Sequence, residues 1–157
     1  MLSRTVIIEG VTSWTDEAHS RLQGSGQRMG AARAAVIGYL DEQQCCRGAQ
    51  EIHEALAARG STVGLASVYR AVDGLVEQGL LQRVDFGDGI ARFEPVRAGH
   101  EHHHHLVCET CGKVERFHDA PLERAIEAIE QQTGYHVVSH DVVLRGACAD
   151  CRTTTTS

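Results

Sequence analysis

Two C-x-x-C pairs, Cys108-Glu109-Thr110-Cys111 and Cys148-Ala149-Asp150-Cys151, constrain this chain more than any other feature. Together they supply the tetrahedral four-sulfur set that zinc prefers in closed structural sites, so Cys108, Cys111, Cys148 and Cys151 are expected to hold a structural Zn2+. The stretch between Cys111 and Cys148 is longer than in a compact zinc ribbon, but a helix and a strand are expected to fill it and can bring its ends together. A redox-active pair is the weaker alternative, because there are two pairs and neither is expected to open a helix after a strand. Directly before the first pair stands a histidine run, His102-His103-His104-His105.

The rest of the chain bounds where such sites can sit. At 157 residues it suits one domain or two small ones, and 42% apolar with 4% aromatic residues reads as globular and helix-leaning. No apolar stretch approaches bilayer length, and the run Val6-Ile7-Ile8 falls short of a secretory signal, so the expectation is a cytoplasmic protein with no membrane partner. Six cysteines in that reducing compartment favour metal over disulfides. A formal net charge of −6 argues against sequence-independent nucleic-acid binding, so any DNA contact must come from a local patch.

Periodicity divides the chain into segments. Residues 1–25 lack a sustained period and end in Gly24-Ser25-Gly26, which reads as a loosely held extension. Helical spacing follows over 28–40 (Ala32, Val36, Ile37, Leu40) and 49–59 (Ile52, Leu56), ending at Gly60. A third helix carries Leu65, Val68, Val72, Leu75 and Val76 on one stripe and ends at Gly79. Arg70 lies opposite that stripe, with Ala66, Ser67 and Gly74 beside it and Tyr69 on its edge, a face suited to close approach to something large. Strands over 80–86 and 90–94 then flank a hairpin turn, Gly87-Asp88-Gly89. Helix, turn, helix and hairpin in this order predict a winged helix-turn-helix over 26–94.

Pro95 to Gly99 reads as a hinge, since proline interrupts strand pairing. Beyond it, 100–157 reads as a second small domain: strands at 102–107 and 113–117, a helix over 119–133 capped by Asp119 and closed by Gly134, and a last strand at 137–144. Leu122, Ile126 and Ile129 form that helix's expected buried stripe. The whole is therefore α+β.

Alternation sorts the histidines. Along a strand, His102 and His104 share one face while His103 and His105 share the other, so one run feeds two metal sites. Glu123 on the following helix and His140 in the last strand are the candidates to complete the first. Glu94 and Asp85 from the hairpin, with Cys46 as a further candidate, are those for the second. The literal H-E-x-x-H at His100-Glu101-x-x-His104 requires a helix and here runs into a strand, which disfavours a metalloprotease.

Taken together, Gly64-Leu65-Ala66-Ser67-Val68-Tyr69-Arg70, Arg92-Phe93-Glu94, the histidine run through Cys108-x-x-Cys111-Gly112-Lys113, and Ser139-His140 with Gly146-Ala147-Cys148-x-x-Cys151 resemble the ferric uptake regulator (Fur) superfamily of metal-dependent bacterial repressors. The resemblance spans about Gly26 to Cys151. It implies a winged-helix DNA-binding domain, an α/β dimerisation domain, and a homodimer that binds a palindromic double-stranded DNA operator when metallated. It implies that Cys108, Cys111, Cys148 and Cys151 hold structural zinc. His102, His104, Glu123 and His140 match a second site, and His103, His105 and Glu94 match a sensory site at the hinge. Tyr69 and Arg70 match recognition-helix positions, with Ser67 beside them, and Arg28 and Arg33 match basic positions of the first conserved helix.

Three positions depart from the family pattern. Gly30 stands where a threonine is usual, Cys46 (or Cys45 in a register one residue different) replaces a hinge histidine, and no cysteine stands near Val96, where zinc sensors commonly carry one. The last favours Fe2+ as the regulatory ion, and the adjacent cysteines favour Zn2+. The expected function is a repressor of iron uptake or homeostasis genes, with a zinc uptake regulator as the alternative. A zinc metalloenzyme would need a convergent acid or base that the chain does not offer, so no enzyme is expected. A metal-storage module would have no use for the helix face bearing Ser67, Arg70 and Gly74.

Overall fold

A computed structural model describes residues 13–97 and 103–152. The described residues form two compact units, one comprising 13–43 together with Arg47–Arg97, the other Gln44–Cys46 together with 103–152.

The first unit packs four helices against a small sheet. Helix α1 (Trp14–Gly24) is capped by Ser13, whose hydroxyl accepts from the Asp16 amide, and it buries Trp14, Ala18 and Leu22. The expectation of a loosely held extension therefore fails over this helix. Its apolar positions are only three, spaced i, i+4, i+8, and one is a small alanine, so the period is real but faint. Thr15 donates to Asp41 (2.8 Å), Arg97 pairs with Asp41 (2.9 Å), and the Arg97 guanidinium lies 5.7 Å from the Trp14 ring centre. Residues 1–12 lie outside the described residues.

Helix α2 (Ala31–Asp41) begins three residues later than its periodicity suggests, because Gly30 takes the N-cap position. Strand β1 (Arg47–Gly48) leads into α3 (Ala49–Ala58), where the Glu51 carboxylate accepts from the Gly48 amide (2.6 Å) and ties down the first turn. Helix α4 (Leu65–Glu77) buries Val68, Val72 and Leu75 of the expected stripe against α2 and α3, together with Ala71, while Leu65 and Val76 at its two ends are only partly buried. Burying a valine or leucine side chain is worth about 1.5–3 kcal/mol.

Strands β2 (Leu81–Asp85) and β3 (Ala91–Pro95) form the hairpin, and the sheet runs β1-β3-β2. Gly87 and Gly89 adopt φ of 76° and 78°, which a side chain would strain, and so make the turn possible. Pro95 does not break the pairing: it stands opposite Leu81, and the Val96 amide still donates to the Leu80 carbonyl (3.0 Å). By alternation the Pro95 nitrogen faces away from β2, on the side where β1 pairs only with Arg92 and Phe93, so no ladder bond is lost. The expected hinge thus begins inside a strand, and its positions 98 and 99 lie outside the described residues.

The second unit is a three-stranded sheet with one long helix. Strand β4 (His104–Cys108) is central, antiparallel to β5 (Val114–Phe117) and parallel to β6 (Val143–Gly146). Helix α5 (Ala120–Thr133) starts at the Asp119 carboxylate, which accepts from the Leu122 amide (2.8 Å), and stops at Gly134 with φ 71°. Its expected buried stripe is not buried: no residue of α5 is, and Ile129 is 57% exposed. Leu122 and Ile126 are only half-buried.

The last strand is also shorter than expected. After Gly134 the chain is held to α5, with the Val137 amide donating to Glu130 (3.1 Å), and pairing with β4 begins only when the His105 amide reaches the Val142 carbonyl (3.1 Å). Finally α6 (Ala149–Arg152) follows β6 directly, so the second C-x-x-C does open a helical turn after a strand, contrary to expectation.

Candidate metal centres and nucleic-acid interface

Strand β4 organises the chemistry of the second unit. Its pleat sends His104 to one side, fully buried, and His105 to the other, where its ring lies 5.1 Å from that of His103. The alternation expected from the sequence is therefore realised for these three residues. His102 lies outside the described residues.

On the His104 side, α5 delivers Glu123 and the segment before β6 delivers His140. The Glu123 carboxylate bridges both rings, 2.6 Å from His104 Nε2 and 3.1 Å from His140 Nε2. His140 reaches this place from an irregular segment, not from the expected strand. Two imidazoles and a carboxylate whose ligand atoms lie within 4.8 Å of one another form a nitrogen-oxygen donor set that suits iron, zinc or manganese alike.

At the end of β4, the knuckle Cys108–Cys111 meets Cys148–Cys151 with all four sulfurs inside 4.8 Å. Cys111 and Cys148 sulfurs are 3.9 Å apart, and a zinc tetrahedron with bonds of about 2.3 Å has edges of about 3.8 Å. The donor set and spacing fit zinc. Amide hydrogen bonds, first from Cys148 (3.3 Å to the Cys108 sulfur) and then from Cys111 and Thr110, hold the Cys108 thiol down to about 6. Hydrogen bonding with Cys148 and then Cys111 pushes Cys151 up to about 12, as expected where several thiols compete for negative charge.

On the His105 side, the loop following α2 brings up Cys45 and Cys46, both buried, whose sulfurs lie within 4.8 Å of the His105 ring nitrogen. Cys45 is held down to about 5, first by a hydrogen bond from Cys46 and then by His105, against the opposing effect of burial. From the sequence either Cys46 or, one residue off in register, Cys45 is expected here; both arrive together. The signal was their adjacency.

In the first unit, Glu94 is buried on β3 and accepts from Gln82 across the hairpin (2.5 Å). Asp85 does not accompany it. Three register positions further along β2 it faces the other side of the sheet and turns back on its own loop, accepting from the Gly87 amide (2.7 Å).

The outer face of α4 presents Tyr69, 47% exposed, and Arg70, which donates to the Ser67 hydroxyl (3.0 Å). Arg28 is exposed ahead of α2, and its carbonyl accepts from Arg33 (3.0 Å). The Arg33 guanidinium lies over Gly74, where an added Cβ would come within 3.1 Å of it. Gly74 is thus less an open patch of α4 than a seat for Arg33, a role visible only once two helices are packed.

Residues 24–145 match the model of the ferric uptake regulator family. The chain is 34% identical over 133 residues to the zinc uptake regulation protein of Mycobacterium tuberculosis, covering 83% of this chain and 99% of that protein. It is 29% identical over 134 residues to the ferric uptake regulation protein of Neisseria gonorrhoeae, covering 85% and 92%. The crystal structure of the Vibrio cholerae ferric uptake regulator superposes with a TM-score of 0.73 at 29% identity, covering 83% of this chain and 98% of that one.

Proposed function

This chain belongs to the ferric uptake regulator family, and from that premise we propose that it is a cytoplasmic repressor that binds a palindromic operator as a metallated homodimer and controls iron or zinc uptake. Its family makes it a metal-responsive transcription regulator and not an enzyme. The observation that carries the reading is that one five-residue strand, β4, serves separate ligand groups on its two faces and at its end: His104 with Glu123 and His140, His105 with Cys45 and Cys46, and Cys108 with the other three cysteines.

The roles divide as follows. Cys108, Cys111, Cys148 and Cys151 hold structural zinc, which when bound cross-links the two ends of the second unit. His104, Glu123 and His140, joined by His102, hold a second ion. His103 and His105, with Glu94 from the hairpin, hold the regulatory Fe2+ or Zn2+. Tyr69, Arg70 and Ser67 read the operator from the major groove, while Arg28 and Arg33 approach phosphate. The side chains of the regulatory set restrict the freedom of the recognition helix, which raises the fraction of molecules able to span both half-sites. Neutralised carboxylate and thiolate also ease the approach of a chain at −6 to DNA.

The dimer is supported by large apolar side chains that the second unit leaves uncovered, Ile129, Tyr135, Val138 and Leu144, each at least half exposed. No helix among the described residues is long and apolar enough to cross a membrane.

The test is a gel shift on operator DNA with and without metal. His103→Ala with His105→Ala is expected to weaken metal-dependent binding by about 5- to 150-fold, the usual span of coupling between sites, while the dimer stays folded. Unchanged affinity removes the sensory assignment.

A further inference from the structure

Cys45 and Cys46 are adjacent in sequence, and adjacent side chains on an extended strand point apart. Here they fall at the bend that follows α2, and their sulfurs converge to 3.8 Å. That is the edge of a zinc tetrahedron built on bonds of about 2.3 Å, and it matches the 3.9 Å between Cys111 and Cys148 in the four-sulfur cluster. A third donor, a ring nitrogen of His105, lies within 4.8 Å of both sulfurs, and all three residues are more than nine-tenths buried. The loop that carries the cysteines and the strand that carries His105 belong to the same compact unit.

The geometry points to a thiolate site for Zn2+ made of Cys45, Cys46 and His105, in which both sulfurs bind and His105 is shared with the regulatory set. The inference rests on the reading of the chain as a metal-dependent regulator and deepens it by naming the ion. A sulfur-sulfur-nitrogen set with one position left for a further donor selects zinc over Fe2+ and Mn2+, because thiolates prefer the softer ion while the nitrogen-oxygen set at His104 discriminates little. A further imidazole, His103, has its ring 5.1 Å from that of His105. On binding, any sulfur still protonated gives up its proton to solvent and a thiolate lone pair forms each metal bond, so no oxidant or reductant is required.

The experiment uses the full chain with one equivalent of zinc already in the four-sulfur cluster, titrated with Co2+ under anaerobic conditions. Wild type is expected to develop the near-ultraviolet thiolate-to-cobalt charge-transfer band of two sulfurs. Cys45→Ala with Cys46→Ala is expected to develop none, and each single variant to retain about half, one of the two thiolates remaining. The single variants keep the test decisive if the double variant does not fold. A wild-type titration without that band, or a band unaltered in the variants, overturns the site.

A second arm measures operator binding against Zn2+ and Fe2+. The advantage of zinc over iron is expected to fall at least about tenfold in the folded variants, since losing a ligand costs no less than losing a residue that merely orients one. An unchanged ratio overturns the zinc preference. If no metal promotes operator binding by wild type, the repressor reading fails, and the cobalt band still decides whether both sulfurs bind.

Discussion

Asp88 shows how a single residue fixes a wing. At the tip of the β2–β3 hairpin its carboxylate receives two hydrogen bonds from Arg92 (2.8 and 3.1 Å) and one from the Ile90 amide (3.0 Å). The Arg92 guanidinium, itself buried, stacks 5.1 Å from the Phe86 ring. Arg92 first, and the Ile90 amide second, hold the Asp88 carboxyl down to about 2 from an ordinary 3.8. A depressed carboxylate stabilises the fold above its unfolded value and ceases to as pH falls through the folded one. The melting temperature of wild type should therefore exceed that of Asp88→Asn near neutrality, and the gap should close between pH 4 and 2; a constant gap would contradict the pairing. The difference between the two proteins, rather than either curve, isolates this effect from acid loss of metal. At this scale the sequence was legible where a rule of geometry applied, as for His104 and His105 on opposite faces of a strand. It was silent where tertiary contact decides, as for Arg33 seated on Gly74, and misleading for Asp85, whose loop amides captured it first.

Among the elements, α1 is the one whose period was too faint to read. Its single tryptophan is 3% exposed and its Ala18 and Leu22 are buried with it in the core that holds α2 and α4. Trp14→Ala should destabilise the first unit by about 3–5 kcal/mol, the usual cost of emptying a buried aromatic site. Urea unfolding followed by far-ultraviolet circular dichroism measures this, since the variant has no tryptophan to report. A loss below about 1 kcal/mol, typical of a surface change, would mean that the helix is peripheral. Helices α2 to α4 were legible because their apolar stripes are full and end at glycines or caps. The strand expected over 137–144 was not, because β-branched composition announces a strand only where a partner lies alongside. Residues 137–141 have none in β4.

For the molecule as a whole, α+β with a winged helix before a smaller mixed unit followed directly from element order. What the order could not reveal is that α5 lacks a cover. A helix expected to bury Leu122, Ile126 and Ile129 leaves the last 57% exposed, and Val138 beyond it is 85% exposed. A second copy of the chain provides the missing layer in the proposed dimer. Ile129→Asp combined with Val138→Asp should raise the dimer dissociation constant at least about 30-fold, the equivalent of about 2 kcal/mol for a central contact. Sedimentation velocity across a dilution series detects that shift, and an unaltered dimer would place the interface elsewhere.

Residues Gln44–Cys46 are numbered among the helices of the first unit yet belong to the second. Heredity therefore does not respect the boundary that packing draws. Recombination at a point near residue 97 would exchange the half of the gene that carries the proposed DNA contacts and carry two sulfurs away from the imidazole they face. In the proposed arrangement, relatives that trade operator specificity by such an exchange would change their metal at the same stroke, and a lineage that keeps its metal while acquiring a new operator would do so by point substitution on the proposed recognition helix, α4.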